Sequence, residues 1–326
     1  MRGKSTIMKV LLIIAIILSC VAIGLFAMTY PSYHREMQRA RDRLSVGSKV
    51  LKTNHGDIEY SVKGEGTPVL LLHGAGGGYD QGLWGGKVFL SQSDYKFISV
   101  SRFGYLRSPI PARASIRAQA SLYGTVLNHL NIERAIVVGM SAGGPSATQF
   151  ANDYPDRCTA LILLSAVSMA QSPGDKNRFY VSIIHLIQQS DYAYWLFTNF
   201  MQSFILNLFG VPSNEYTKFT SEQKELAQEM LDIMHPMSQR YQGTINDGKM
   251  IQRESVVTNN VSAPTLIIHA KDDALVSYGH AENAHERIRQ SKLILFDTGG
   301  HAMLSQMIKV RDCTRSFLKD IPKSDK

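Results

Sequence analysis

Four short apolar runs, Val69–Leu72, Phe97–Val100, Ala135–Val138 and Leu161–Leu164, recur along the first half of the chain. Each is too short for a helix, and helix-period sequence follows two of them, over Ala114–Leu130 and from Ser141 to Ala151. Continuous apolar runs of this length fit strands buried on both faces. Such strands alternating with helices imply a parallel sheet with helices on both sides. The alternation stops over residues 168–260, which are rich in Met, aromatics and helix formers. It resumes with an apolar run at Thr265–His269, helical sequence at Ala281–Arg289, a further run at Leu293–Phe296 and a last helix over Leu304–Leu318. The expected fold class is α/β: a mostly parallel central sheet with helices on both faces and a helical insertion between two strands.

Ahead of this domain, Val10–Met28 carries no charge over nineteen residues, and Tyr30 and Pro31 close the run. At 1.5 Å per residue it reaches about 28 Å, the thickness of a bilayer's hydrocarbon core. A signal peptide has a shorter apolar run and a small-x-small cleavage site, and the run here also extends well past Cys20, so an uncleaved anchor is expected rather than secretory or lipoprotein processing. The net charge of +8 gathers here. Residues 1–52 hold nine Lys or Arg against two acidic residues, a net of +7 that leaves +1 for the rest. The basic balance thus belongs to the flanks of the anchor, where it meets anionic headgroups, and does not point to nucleic acid. Basic residues stand on both flanks, so orientation across the membrane stays open. A second apolar stretch at 183–209 is interrupted by Gln188, Gln189, Asp191, Asn199 and Gln202 and reads as lid or buried helices. The layout expected is an anchor with its basic flank (1–31), a juxtamembrane stalk (32–48), a core made of 49–167 and 261–326, and a helical cap (168–260).

The chemistry centres on Gly139-Met140-Ser141-Ala142-Gly143. Gly-x-Ser-x-Gly is common by chance, but here it sits where a buried strand meets a helix. A strand turning sharply into a helix lifts the intervening residue above the sheet, and the small neighbours permit that turn. The Ala142 N–H would then lie at a helix N-terminus, aimed at a developing oxyanion, and Pro145 suits a first turn whose N–H groups lack partners. A serine nucleophile needs a base, and the base an orienting acid. For a serine on such a turn the expected order is Ser, then Asp or Glu, then His, each in a loop after a strand. Thr265–His269 runs into Ala-Lys-Asp-Asp-Ala-Leu-Val-Ser, and Leu293–Phe296 runs into Asp-Thr-Gly-Gly-His-Ala-Met. Asp272 and Asp273 compete for the acid, and His301 is the base. Ser165–Met169, after the fourth run, holds no carboxylate.

From about Leu51 to Leu318 the chain resembles the α/β-hydrolase family in its variant with a helical cap. The resemblance rests on Leu-Leu-Leu-His-Gly-Ala-Gly-Gly-Gly (70–78), Gly-Met-Ser-Ala-Gly-Gly (139–144), Lys-Asp-Asp-Ala-Leu-Val-Ser (271–277) and Gly-Gly-His-Ala-Met (299–303), four motifs in order. It implies an α/β-hydrolase fold and selects Asp273, which precedes Ala274, Leu275 and Val276. It also implies a second oxyanion donor directly after His73-Gly74, the Ala75 N–H, with His73 a structural ring under the loop. Serine at the turn argues against epoxide hydrolases and haloalkane dehalogenases, which use Asp there. The segment Ser101–Ser108 departs from the family's Asp-x-x-Gly-x-Gly-x-Ser, and Arg102 is expected in a salt bridge or at the surface.

The function expected is a membrane-anchored serine hydrolase acting on a carboxylic ester with an apolar or lipid-like part, through an acyl-enzyme on Ser141. No metal or cofactor is expected, and its partners are a small-molecule ester and the membrane. A C–C bond hydrolase, lactonase, amidase or thioesterase on the same three residues, and a non-catalytic ligand-binding protein, are the alternatives. Cys20, Cys158 and Cys313 read as free thiols, with a Cys158–Cys313 bridge as the alternative. His280, Glu282 and His285 read as solvated on a surface helix. Trp84 and the aromatic group Trp195, Phe197, Phe200 with Met201 are candidates for pocket wall or helix packing.

Overall fold

A computed structural model describes residues 2–54, 56–90, 94–170, 178–254 and 256–321, without the side chains of 2–7 and 178–181. The chain forms two compact units, Met1–Leu44 and Ser45–Lys326. The first is a helix, α1 (Arg2–Val46), that continues through Pro31. From Met8 onward it is long and apolar enough to cross a membrane, with a mean hydropathy of 3.1 over its most apolar eighteen residues. Pro31 closes the apolar run but not the helix.

The second unit holds one eight-stranded sheet: β1 (Lys49–Leu51), β2 (Ile58–Lys63), β3 (Thr67–Leu72), β4 (Tyr95–Val100), β5 (Ala135–Met140), β6 (Cys158–Leu164), β7 (Thr265–Ala270) and β8 (Ser291–Phe296). Their order is β1-β2-β4-β3-β5-β6-β7-β8, with β2 antiparallel to both its neighbours, β1 and β4, and every other pair parallel. Side chains alternate between faces. In β3, Leu70 and Leu72 join one core layer with Ile98, Val100 and Val137, while Val69 and Leu71 join the other with Phe97, Ile136 and Val138. Burial on both faces is why these strands read as unbroken apolar runs.

Helices α2 (Tyr79–Phe89), α3 (Ile116–His129), α4 (Gly144–Asp153), α11 (Gly279–Arg287) and α12 (Met307–Lys319) flank the sheet. Between β6 and β7 lie α5 (Arg178–Gln188), α6 (Asp191–Phe200), α7 (Gln202–Leu208), α8 (Ser213–Tyr216), α9 (Ser221–Ile233) and α10 (Ser238–Arg253). This is the span expected to form a cap, of which 171–177 and Ser255 lie outside the described residues. Thr220 and Gln223 start α9 with a reciprocal capping box.

Helix α2 was not expected, because its sequence contains Gly82, Gly85 and Gly86, poor helix formers. Their use lies in close packing. A Cβ on Gly82 would stand 2.1 Å from Ser99 Oγ, and one on Gly86 would stand 2.8 Å from Leu71 Cδ1. His280, expected in solvent, is buried against the residues after β6: Ser168 N–H donates to its Nδ1 at 3.2 Å and Ser168 Oγ to its carbonyl at 2.6 Å. Glu282 and His285 are exposed. The three cysteines are free, and burial pushes the Cys158 thiol up to about 12.

Candidate active site

The chain leaves β3 toward β4 on one side and reaches β5 on the other, so the sheet reverses direction between the carboxyl ends of β3 and β5. Open α/β sheets place their sites in the crevice at such a point. Here the loop after β3 holds Gly74–Gly78, and β5 runs straight into Ser141. Ser141 adopts φ +49, a strained left-handed conformation, and starts a single 3-10 turn that leads into α4 with Pro145 in its first turn. A Cβ on Gly143 would stand 2.4 Å from the Leu72 carbonyl oxygen, so only glycine lets the turn pack on the end of β3.

His301, in the loop after β8, places Nε2 2.9 Å from Ser141 Oγ and Nδ1 2.7 Å from Asp273 Oδ2. Asp273 follows β7. Its Oδ1 accepts the Leu275 and Val276 N–H groups, both at 2.9 Å. His269, fully buried in β7, turns its Nε2 toward both Asp273 Oδ2 (3.1 Å) and the Val276 carbonyl (2.9 Å). Burial by itself would raise the Asp273 carboxyl. The His301 charge, the hydrogen bonds of His269 and His301 and the Val276 amide outweigh it and hold the group well below the usual carboxylate range. Asp272 has a different partner, accepting the Gly300 N–H at 2.8 Å. The two adjacent carboxylates are thus divided, one facing the imidazole and the other tying down its loop.

Ala75 and Ala142 line the cavity beside Ser141. The neighbours of Ala75 are pinned: Gly74 N–H donates to Gln81 Oε1 at 2.9 Å and Gly76 N–H to Thr244 Oγ1 at 3.1 Å. His73 lies below this loop, fully buried, with Nδ1 donating to the Gly74 carbonyl at 2.7 Å and Nε2 accepting the Arg102 N–H at 3.0 Å. Burial and the charge of Arg102 hold its pKa well down, so His73 is a neutral strut.

Arg102 is neither catalytic in position nor at the surface. It is buried, and Nη1 and Nη2 donate to Asp247 at 2.5 and 2.6 Å, while Tyr105 Oη donates to the same carboxylate at 2.5 Å. Burial disfavours the Arg102 charge, but Asp247 outweighs it and raises its pKa further. A second buried pair joins Arg240 to Asp80, at 2.9 and 2.7 Å. Arg240, Thr244 and Asp247 recur at i, i+4 and i+7 and share one face of α10. That face clamps the inserted helices to the β3 loop, to α2 and to the loop after β4. The sequence reading passed over these residues. Their polar spacing within α10 was the available signal, but their partners lie more than a hundred residues away.

The cavity has a volume of about 690 Å³. Trp84 lines it, as do Leu208, Phe209, Met230 and Met234 from the inserted helices. Trp195, Phe197, Phe200 and Met201 do not: Trp195 is buried in helix packing, Phe197 is half-buried at the edge of the core with its ring against the exposed Phe204, and Phe200 and Met201 face outward. Gly210, also missed, meets the His301 loop directly. Its carbonyl accepts the His301 N–H at 2.7 Å.

Residues 67–306 match the alpha/beta hydrolase fold family. The chain is 31% identical over 255 residues to the uncharacterized hydrolase YcgS of Bacillus subtilis, covering 76% of this chain and 88% of that protein. Among solved structures it is similar to an alpha/beta hydrolase fold protein from Nakamurella multipartita, with TM-score 0.69, 24% identity and coverage of 84% and 99%. It is also similar to an esterase from Exiguobacterium antarcticum, with TM-score 0.64, 23% identity and coverage of 84% and 100%.

Proposed function

This chain belongs to the α/β-hydrolase family and is a hydrolase; within that family we propose that it is a membrane-anchored serine hydrolase that cleaves carboxylic esters bearing an apolar part. The observation that carries the reading is the continuous line from Ser141 Oγ through His301 to Asp273, with spacings of 2.9 and 2.7 Å.

In this reading Ser141 Oγ attacks the ester carbonyl while His301 Nε2 takes its proton. Asp273 holds the imidazole in the tautomer whose Nε2 is free to accept, and stabilises the imidazolium that forms. The carbonyl oxygen, now negative, is held by the Ala75 and Ala142 N–H groups. Collapse of the tetrahedral intermediate expels the alcohol, which receives the proton from His301. Water then attacks the acyl-Ser141 ester with His301 again as base, releasing the acid and restoring the hydroxyl. The apolar walls of the cavity support an uncharged substrate with a hydrocarbon portion. The apolar helix α1 supports placement at a membrane, where such substrates partition. Similarity to an esterase of the same fold is in keeping with ester chemistry.

The test is labelling of the full-length protein by a fluorophosphonate probe and hydrolysis of p-nitrophenyl esters. Both are expected to vanish in Ser141→Ala, and labelling to collapse in His301→Ala. Undiminished hydrolysis in Ser141→Ala sinks the proposal.

A further inference from the structure

We propose that the ester this cavity takes carries a hydroxyl or other neutral hydrogen-bond donor close to the scissile carbonyl, recognised by Gln188 and Ser165. This rests on the serine-hydrolase reading above and narrows its substrate class. Most of the wall near Ser141, including Leu164, Phe209 and Met234, asks only for bulk. Two oxygens on it do not. Gln188 Oε1 and Ser165 Oγ are buried without a hydrogen-bond partner among the described residues, on side chains only 3% and 4% exposed. Leaving such groups unsatisfied is destabilising, and folded chains keep few of them. Other polar groups of the cavity are answered from within: Gln81 by the Gly74 amide, Thr244 by the Gly76 amide, Asp247 by Arg102 and Tyr105.

The placement of the two oxygens is specific. Ser165 directly follows β6, and the Gly74–Gly78 loop follows β3; these strands lie on either side of β5, which delivers Ser141. Ser165 has φ +45, with its N–H on the Ile268 carbonyl at 3.0 Å, and two residues later Val167 N–H donates to the Ser141 carbonyl, also at 3.0 Å. Glycine would hold that backbone with less strain, so a serine there points to a use for its hydroxyl. Gln188 ends α5, and its Nε2 stands 3.8 Å from where a Cβ on Gly76 would sit. One oxygen therefore flanks Ser141 on the β6 side and the other on the β3 side.

The ligand chemistry follows from the atoms. Gln188 Oε1 only accepts, while the Trp84 indole N–H, also buried and unpartnered among the described residues, only donates. A hydroxyl does both. A carboxylate leaves Gln188 Oε1 unanswered, since two acceptors cannot pair, and an ammonium has no free counter-charge in Asp247, which is already paired with Arg102. A site built to hydrogen-bond a hydroxyl rejects the analogue lacking it far more strongly than an apolar pocket rejects a change in chain length.

Full-length protein in detergent tests this with propyl octanoate against 2-hydroxyethyl octanoate, which differ by a methyl-for-hydroxyl exchange on the alcohol side, and against propyl 3-hydroxyoctanoate on the acyl side. Each ester is measured by hydrolysis and by its power to slow fluorophosphonate labelling. At least one hydroxylated ester is expected to be favoured by about tenfold or more in kcat/KM. The preference should fall toward unity in Gln188→Leu or Ser165→Ala, each checked for a cooperative thermal transition. Equal handling of hydroxylated and plain esters in both assays overturns the proposal, the oxygens then serving only bound water. A preference that survives both substitutions also overturns it. Absence of Ser141-dependent labelling is a separate failure: it removes the serine-hydrolase reading itself, and this inference with it.

Discussion

Gly210 and His301 are joined by a 2.7 Å hydrogen bond from the histidine N–H to the glycine carbonyl, which ties the loop after α7 to the loop that presents the imidazole. Gly210 holds φ +77, and a Cβ there would stand 2.6 Å from His301 Cβ. The position of the imidazole is thus set partly by a residue outside the sheet framework.

Gly210→Ala is expected to displace His301 more than to unfold the protein. A misplacement of about 1 Å costs roughly a hundredfold in rate. The expected result is a fall in kcat of about ten- to a hundredfold with KM little changed, and slower fluorophosphonate labelling. Unaltered kcat would mean the loop absorbs the methyl group.

Asp273→Asn tests the acid in two ways. A neutral amide no longer fixes the imidazole tautomer, and kcat is expected to fall by about three to four orders of magnitude. The linkage to pH has a definite sign. The Asp273 pKa is depressed in the folded protein, so its stabilising contribution is complete above the unfolded value of about 4 and is lost as pH falls from there toward the folded value. Urea midpoints of the wild type and Asp273→Asn should therefore differ most near neutrality and converge as the pH is lowered below about 4. A constant gap across that range contradicts the assignment.

Arg102→Met leaves the Asp247 carboxylate buried with Tyr105 as its remaining donor. Removing one partner of a buried pair costs about 3–5 kcal/mol, whereas replacing both by apolar groups of similar volume recovers much of the loss. Urea unfolding should show Arg102→Met markedly destabilised and the double variant Arg102→Met/Asp247→Leu partly restored. A single variant as stable as the wild type would deny this pair its clamping role.

If α1 spans a bilayer, the full-length protein should stay with membranes through alkaline carbonate washing and be released only by detergent. Release by carbonate would reduce α1 to a peripheral contact.

The inner strands β3 to β7 were legible because burial on both faces leaves a plain apolar run in each, while β8, only half-buried, still carries one at Leu293–Phe296; their order placed Ser141, Asp273 and His301 in the loops after β5, β7 and β8. Helix α2 was not, because glycines that weaken a helix in isolation are what allow this one to lie against Ser99 and Leu71. The division between Asp272 and Asp273 was invisible to spacing. It depends on which carboxylate faces the Gly300 amide and which the imidazole, a difference of one residue in a turn. The α10 clamp was hidden for another reason. Arg240, Thr244 and Asp247 are ordinary helix residues until their partners are brought to them from Asp80, Gly76 and Arg102. Buried His280 shows the same limit, since a polar side chain on an amphipathic helix reads as solvated unless its neighbour, here Ser168, is known.

The helices between β6 and β7 have a second consequence. Leu161 of β6 lies beside Thr265 of β7 and Leu164 beside Ile268, so the strands run the same way. The chain leaves β6 at the upper rim of the sheet and must enter β7 at the lower one. Parallel neighbours require a crossover of about a dozen residues or more. The segment that roofs the cavity is therefore also the cable that makes the descent. It can be shortened or rebuilt in the course of evolution, but it cannot be cut away without leaving β7 no path into the sheet.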